Sequence, residues 1–146
     1  MKIVNKRAPY DYQLLDRVEA GVKLLGAEVK AVKLGHADLG RSFVKIIGSE
    51  AYLINAQIFP YEYARPEGYD SGRSRKLLLH KKQLIALRSK TDGANLTIVP
   101  VSVYTTHNLI KVELAIAKSK KKFEKKEATK KKDIEKHIEE ELRGKH

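Results

Sequence analysis

Residues 96–117 read LTIVPVSVYTTHNLIKVELAIA. In the second half, Ile110, Val112, Leu114 and Ile116 alternate with Lys111, Glu113 and two alanines. A period of two puts one set of side chains on a core, so 96–104 and 109–117 read as a pair of strands. Pro100 cannot donate to a ladder, which implies an edge or a bulge at that point.

The same test extends outward. KLLLHKKQLIALRSK, 76–90, contains a helix: His80 sits at an N-cap position, Gln83 follows three residues on, and Leu84 and Leu87 share a face. Before it, PYEYARPEGYDSGRSR (60–75) has two prolines, two glycines, three tyrosines, three arginines and no periodicity. A loop this long is expected to be functional or disordered. Residues 42–47 and 51–58 flank Gly48-Ser49-Glu50 as a hairpin, with Tyr52, Ile54, Ala56 and Ile58 alternating. Leu25, Val29 and Val32 predict a helix over 26–34, closed by Gly35 as a C-cap, with Glu28, Lys30 and Lys33 among its polar positions. Tyr10, Tyr12, Leu14 and Val18 predict a strand that Val22 and Leu24 continue past a bulge or bend at Gly21.

About six strands and two short helices leave too few helices to cover two faces of a sheet. The expected fold is mainly β, an OB-like antiparallel barrel over 1–117, with a two-layer α+β sheet as the rival. The barrel is expected to end at Ala117 and to be followed by a basic tail, 118–146.

Net charge is +12; the tail holds twelve Lys/Arg against seven Asp/Glu, and the body eighteen against eleven. Nine lysines (Lys118, Lys120, Lys121, Lys122, Lys125, Lys126, Lys130, Lys131 and Lys132) fall within fifteen residues. Phe123, Glu127, Lys131, Ile134, Ile138 and Leu142 are three or four apart, and Glu127–Lys131 is a favourable helical pair. So sparse a stripe predicts a segment mobile when free and helical when bound.

There is no cysteine, no run of eighteen apolar residues and no apolar leader at the start. A cytoplasmic protein without a membrane span is the expectation. His36, His80, His107, His137 and His146 are scattered away from metal-ligand spacing, and no phosphate-loop, dinucleotide or nucleophile-elbow motif occurs. Neither cofactor nor catalysis is expected. A basic body and tail point to nucleic acid, against the blander reading of a basic protein with no polyanion partner. RNA contact is expected of Asn5, Lys6 and Arg7 beside Tyr10 and Tyr12, of Lys30 and Lys33, and of Arg73, Arg75, Lys76 and Lys81 around Leu77-Leu78-Leu79. Cations would meet phosphates while aromatic or apolar groups meet splayed bases. Tyr52 and Tyr104, inside strands, read as core.

Several blocks also resemble the small protein B (SmpB) family: Asn5-Lys6, Glu19-Ala20-Gly21, Gly26-x-Glu28-Val29-Lys30, Ser42-Phe43-Val44, RKLLLHKKQL at 75–84, and KVELAIAK leading into lysines. The resemblance implies an OB-like barrel that binds the tRNA-like domain of tmRNA near its elbow. It implies partners in the stalled 70S ribosome, with alanyl-tRNA synthetase and elongation factor Tu acting through tmRNA. The tail would enter the vacant mRNA channel, and the protein itself would do no covalent chemistry. By position, Asn5, Glu19, Leu77 and Leu79 lie in motifs the family uses to hold tmRNA. Glu19 would either accept from base amino groups and 2′-hydroxyls or orient a neighbouring cation. A barrel for other structured RNA and an RNA-modifying enzyme remain as alternatives. The chain departs from the family pattern at Ser119, where a glycine is usual, at Glu124-Lys125-Lys126, and at Thr105-Thr106. Serine tolerates positive φ poorly, and lysine loses the bidentate phosphate grip of arginine.

Overall fold

The strand pair over 96–117 forms as its alternation requires. The computed structural model describes residues 1–120. In it β8 (Leu96–Thr106) and β9 (Leu109–Ser119) pair antiparallel from Leu96↔Lys118 to Thr106↔Leu109. His107 and Asn108 join them with φ of 48° and 62°, both positive as the tight hairpin that matches strand twist demands.

The preceding elements are β1 (Lys2–Val4), α1 (Ala8–Asp11), β2 (Tyr12–Val22), α2 (Gly26–Lys33), β3 (Ala37–Asp38), β4 (Phe43–Ile47), β5 (Glu50–Ile54), β6 (Gln57–Ile58), a 3₁₀ turn (Glu62–Ala64), β7 (Arg75–Leu78) and α3 (Lys81–Thr91). Hydrogen bonding runs β8–β4–β5–β7–β2–β9 and back to β8, so six strands close a ring. The chain folds as the expected small antiparallel barrel. β1 lies on β8 outside the ring, and β3 and β6 form a separate two-stranded ribbon. The interior is filled by Leu53, Leu77, Ile98, Val103, Val112, Leu114 and Ile116, each at most 5% exposed.

Pro100 marks a bulge, as its missing N–H implies. The β8–β9 register slips between Pro100 and Ser102. On its other side β8 leaves β4 at Ile98 and takes up β1 at Ser102. Asn5 seals this seam: its Nδ2 donates to Pro100 O and its N–H to Val101 O, both at 2.8 Å. One of the two alanines of β9 is explained by α1: Ala117 and Val99 are buried in a small second cluster with Ala8, against which Tyr12, Leu14 and Phe43 pack.

Four local expectations change. Tyr10 belongs to the helical turn α1, and the strand begins at Tyr12. The irregularity of β2 lies between Leu14 and Arg17, whereas Gly21 stays in register with Lys111 and Leu78. The run 51–58 is two strands, because Asn55 takes a left-handed φ of 65° between them. That kink resets the alternation: Ala51 and Leu53 are buried before it, Ala56 and Ile58 after it, and Tyr52 faces outward. Finally β9 runs to Ser119, paired with Tyr12, two residues beyond the expected end of the domain. Ser119 is therefore extended, with no positive φ. Both helices form as predicted. Gly35 (φ 81°) follows α2, and Gln83 Oε1 accepts from His80 N–H at 3.0 Å ahead of α3. The expectations for Lys121 through Lys132, and for tail helicity, lie outside the described residues.

Asn5→Ala should leave Pro100 O unpaired in a dry seam. A loss of about 1–3 kcal/mol is expected from the cost of an unsatisfied buried acceptor, read as a lower urea midpoint at unchanged slope. An unchanged midpoint would show that the seam closes without Asn5.

Candidate nucleic-acid interface

The candidate interface is built on β7, whose residues alternate between a buried ion pair and an open groove. On the inner side, Arg75 is 0% exposed. All five of its donor hydrogens are used: Nε on Glu28 Oε2 (2.7 Å), Nη1 on Ala56 O (2.7 Å) and Arg73 O (2.9 Å), and Nη2 on the Tyr69 hydroxyl (3.1 Å) and Ser71 O (2.9 Å). Its partner Glu28, on α2, is likewise 0% exposed. Glu28 also accepts from Leu25 N–H at 2.8 Å, from the Tyr69 hydroxyl at 3.0 Å and from Arg73. Burial alone would raise the Glu28 carboxyl. The hydrogen bonds from Arg73, Leu25 and Arg75, together with the Arg75 charge, outweigh it and hold the pKa below the ordinary carboxylate value. Glu28 is thus ionised at neutral pH, and it pins α2, the long loop and β7 together.

With Arg75 and Leu77 turned inward, Lys76 and Leu78 face out. The register lines up one row across four strands: Tyr104 beside Lys111, Lys111 beside Gly21, Gly21 beside Leu78. Gly21 is glycine for a reason of space. A Cβ there would lie 3.2 Å from the Leu78 Cβ, so its absence lets Leu78 lie close against β2. Leu78 remains 53% exposed. Lys76, Leu79, His80 and Lys111 line the resulting groove with Gly21 and Leu78. Lys76 Nζ meets Glu50 at 3.0 Å with both side chains about two-fifths exposed. Such a pair holds little energy and can exchange for a phosphate.

Beside this row stands Glu19. It pairs in register with Glu113 and accepts a hydrogen bond from the Tyr104 hydroxyl. Arg17 neutralises Glu113 at 2.9 Å. In this structure Glu19 therefore meets a phenol. Tyr104 and Tyr52 are half-buried outer residues whose hydroxyls meet Glu19 and Glu50, not core fillers. Burial and the Glu19 hydrogen bond, with the charges of Glu19 and Glu113, push the Tyr104 hydroxyl up to about 12.

The nominated residues thus divide. Lys76 and Leu79 share the groove, and Glu19 lies two residues from Gly21 along β2. Lys81 is exposed at the start of α3. Lys30 and Lys33 are exposed on α2, and Lys6 and Arg7 before α1, with Arg7 paired to Asp11 at 2.9 Å. Arg73 is one-third exposed and tied to Glu28. Lys118 is exposed near the end of β9, whereas Lys120 is held by Asp11 O and Pro9 O. Arg75, Leu77 (2% exposed) and Asn5 (5%) are buried in this structure, and Leu77 also borders the groove. Lys111 also lines the groove although the sequence did not single it out, and strict alternation from Arg75 puts Leu78 outside.

The fold and this face define a small closed barrel of the OB type with a cation-flanked apolar groove on its outer wall. The family model of the SmpB protein matches residues 2–144, and the chain belongs to the SmpB family. It is 48% identical to an SsrA-binding protein of Sulfurihydrogenibium sp. (strain YO3AOP1), over 97% of this chain and 93% of that one. It is 43% identical to one from Chlorobium chlorochromatii (strain CaD3), over 93% and 87%. A solved structure described as "tmRNA-SmpB: a journey to the center of the bacterial ribosome" superposes with a TM-score of 0.70 at 39% identity, covering 88% of this chain and 94% of that one.

Arg75→Ala should deprive the Glu28 carboxylate of its fully buried partner, and a loss of about 3–5 kcal/mol is expected from breaking a buried pair. Lys76→Ala should change stability by less than about 1 kcal/mol while weakening RNA binding. Urea denaturation of both variants checks this; equal midpoints would remove Arg75 from its structural role. Because the folded protein holds the Tyr104 proton above the usual value of 10.0, its contribution is complete below pH 10 and is lost as pH rises through about 12. Glu19→Gln should bring that ionisation to lower pH, seen as an earlier rise in alkaline tyrosinate absorbance. An unmoved titration would dissociate the two side chains.

Proposed function

We propose that the chain binds the tRNA-like part of tmRNA through the outer face of β2, β7 and β9, and carries it into stalled ribosomes for trans-translation. The observation that carries this reading is the 48% identity, over 97% of the chain, to a protein named for binding SsrA, the tmRNA. The solved tmRNA–SmpB relative supports a ribosomal setting. The groove suits the task chemically. Leu78 offers an apolar surface to an unstacked base, Lys76 and Lys111 offer charge to phosphates, and Glu19 with Tyr104 offers oriented polar groups that can read sugar and base edges. The basic segment after the barrel then occupies the vacant mRNA channel of the small subunit. Alanyl-tRNA synthetase and elongation factor Tu act on the complex through its RNA, in the cytoplasm. The protein binds and positions; it makes and breaks no bond.

Gel shifts against tmRNA, a tRNA and unrelated hairpins should rank tmRNA first, and equal affinity for all three would sink the reading. If about five phosphates are neutralised, raising salt from roughly 50 to 200 mM should weaken binding on the order of a hundredfold. Truncation belongs after Lys120, because a cut at Ala117 would remove the last rungs of β9. The truncated protein should keep tmRNA binding and lose peptide tagging on stalled ribosomes. Tagging that survives would exclude the tail's role.

A further inference from the structure

Phe59, Tyr61 and Tyr63 form a second exposed apolar surface that shares no residue with the groove of β7. Tyr61 and Tyr63 are 70% and 85% exposed, and Phe59 is 44% exposed. The two tyrosine rings stand 5.4 Å apart, tilted by 52°. Leu34, at the end of α2, is 63% exposed and lines a cleft with Phe59, Tyr61 and Arg65.

The segment carrying these rings is held firmly. Pro60 is buried, Phe59 N–H donates to His36 O at 2.9 Å, and Ala64 N–H to Tyr61 O at 2.9 Å. Arg65 Nε donates to Pro60 O at 2.8 Å. A fixed backbone therefore turns aromatic faces to water, where their area gains nothing for the fold. The surrounding charge favours an anion. Lys30 and Arg65 line the cleft and Lys33 follows on α2; none of the three has a carboxylate partner among the described residues. One carboxylate, Glu62, lines it. Exposed aromatic faces on a fixed backbone beside unpaired cations are the arrangement that stacks bases while holding their phosphates.

We propose that Tyr61 and Tyr63, with Phe59 and Leu34 below and Lys30, Lys33 and Arg65 at the rim, form a platform that stacks unpaired RNA bases. It is a contact separate from the tmRNA groove. It reads no sequence, because every base has a face to stack, and it selects single-stranded over paired RNA.

The chain has no tryptophan, so Tyr63→Trp in the full-length protein supplies one fluorophore at the platform. A short single-stranded RNA should quench it. The same oligomer made abasic, which keeps the phosphates, should leave it bright. Tyr61→Ala/Tyr63→Ala should weaken binding of the oligomer by on the order of tenfold or more, as loss of base stacking does. Tyr61→Phe/Tyr63→Phe, which keeps the ring faces, should bind as the parent does. Equal quenching by the abasic oligomer would overturn the proposal. So would an indole that stays bright at RNA concentrations where anisotropy shows binding, or a Phe pair as weak as the Ala pair.

Discussion

A single buried carboxylate organises the part of the molecule around β7. Glu28 gathers two guanidiniums, a phenol and the backbone N–H of Leu25, the residue just ahead of its own helix. Taking a carboxylate and a guanidinium out of water costs several kcal/mol per ion, which only near-complete hydrogen bonding offsets. Arg75 meets that condition by using every donor it has. The geometry leaves little slack: α2, the 60–75 loop and β7 must all be in place for either charge to be tolerated. The loop is aperiodic in sequence, but its backbone is set by those bonds.

β7 converts this interior order into an exterior one. Its four residues alternate between the ion pair and Leu77 on the inside and Lys76 and Leu78 on the outside. The groove residues are therefore placed by the same strand that anchors the clamp, and the tight passage at Gly21 brings β2 close enough to make one surface. Leu78 lies flat against β2 because Gly21 has no side chain, and half its area still meets water.

Where periodicity was strong, sequence and structure agree. The 96–117 hairpin, the six-stranded ring, the helix ending at Gly35 and the bulge at Pro100 all follow from spacing or from one residue's covalent geometry. What stayed hidden has a common cause. The burial of Glu28, Arg75 and Asn5 is not legible, because a charge or an amide in a sequence does not say whether its partner is water, RNA or a residue 47 positions away. Asn55 shows the other limit. One left-handed residue inverts which parity is buried, so Tyr52 was assigned inward from an alternation that holds only beyond the kink. Leu77 and Leu78 differ in exposure by one step of the pleat, and a block of three leucines conceals that step.

The way the barrel ends has a mechanical consequence. β9 has a long neighbour on each side, β2 and β8, and Lys120 is fastened past its last rung to Asp11 and Pro9. A pull on whatever follows Lys120 runs along the strand axis. It loads the two ladders together in shear rather than peeling them open one bond at a time. Tension arriving at the end of β9 is thus shared by β2 and β8, its neighbours on both sides.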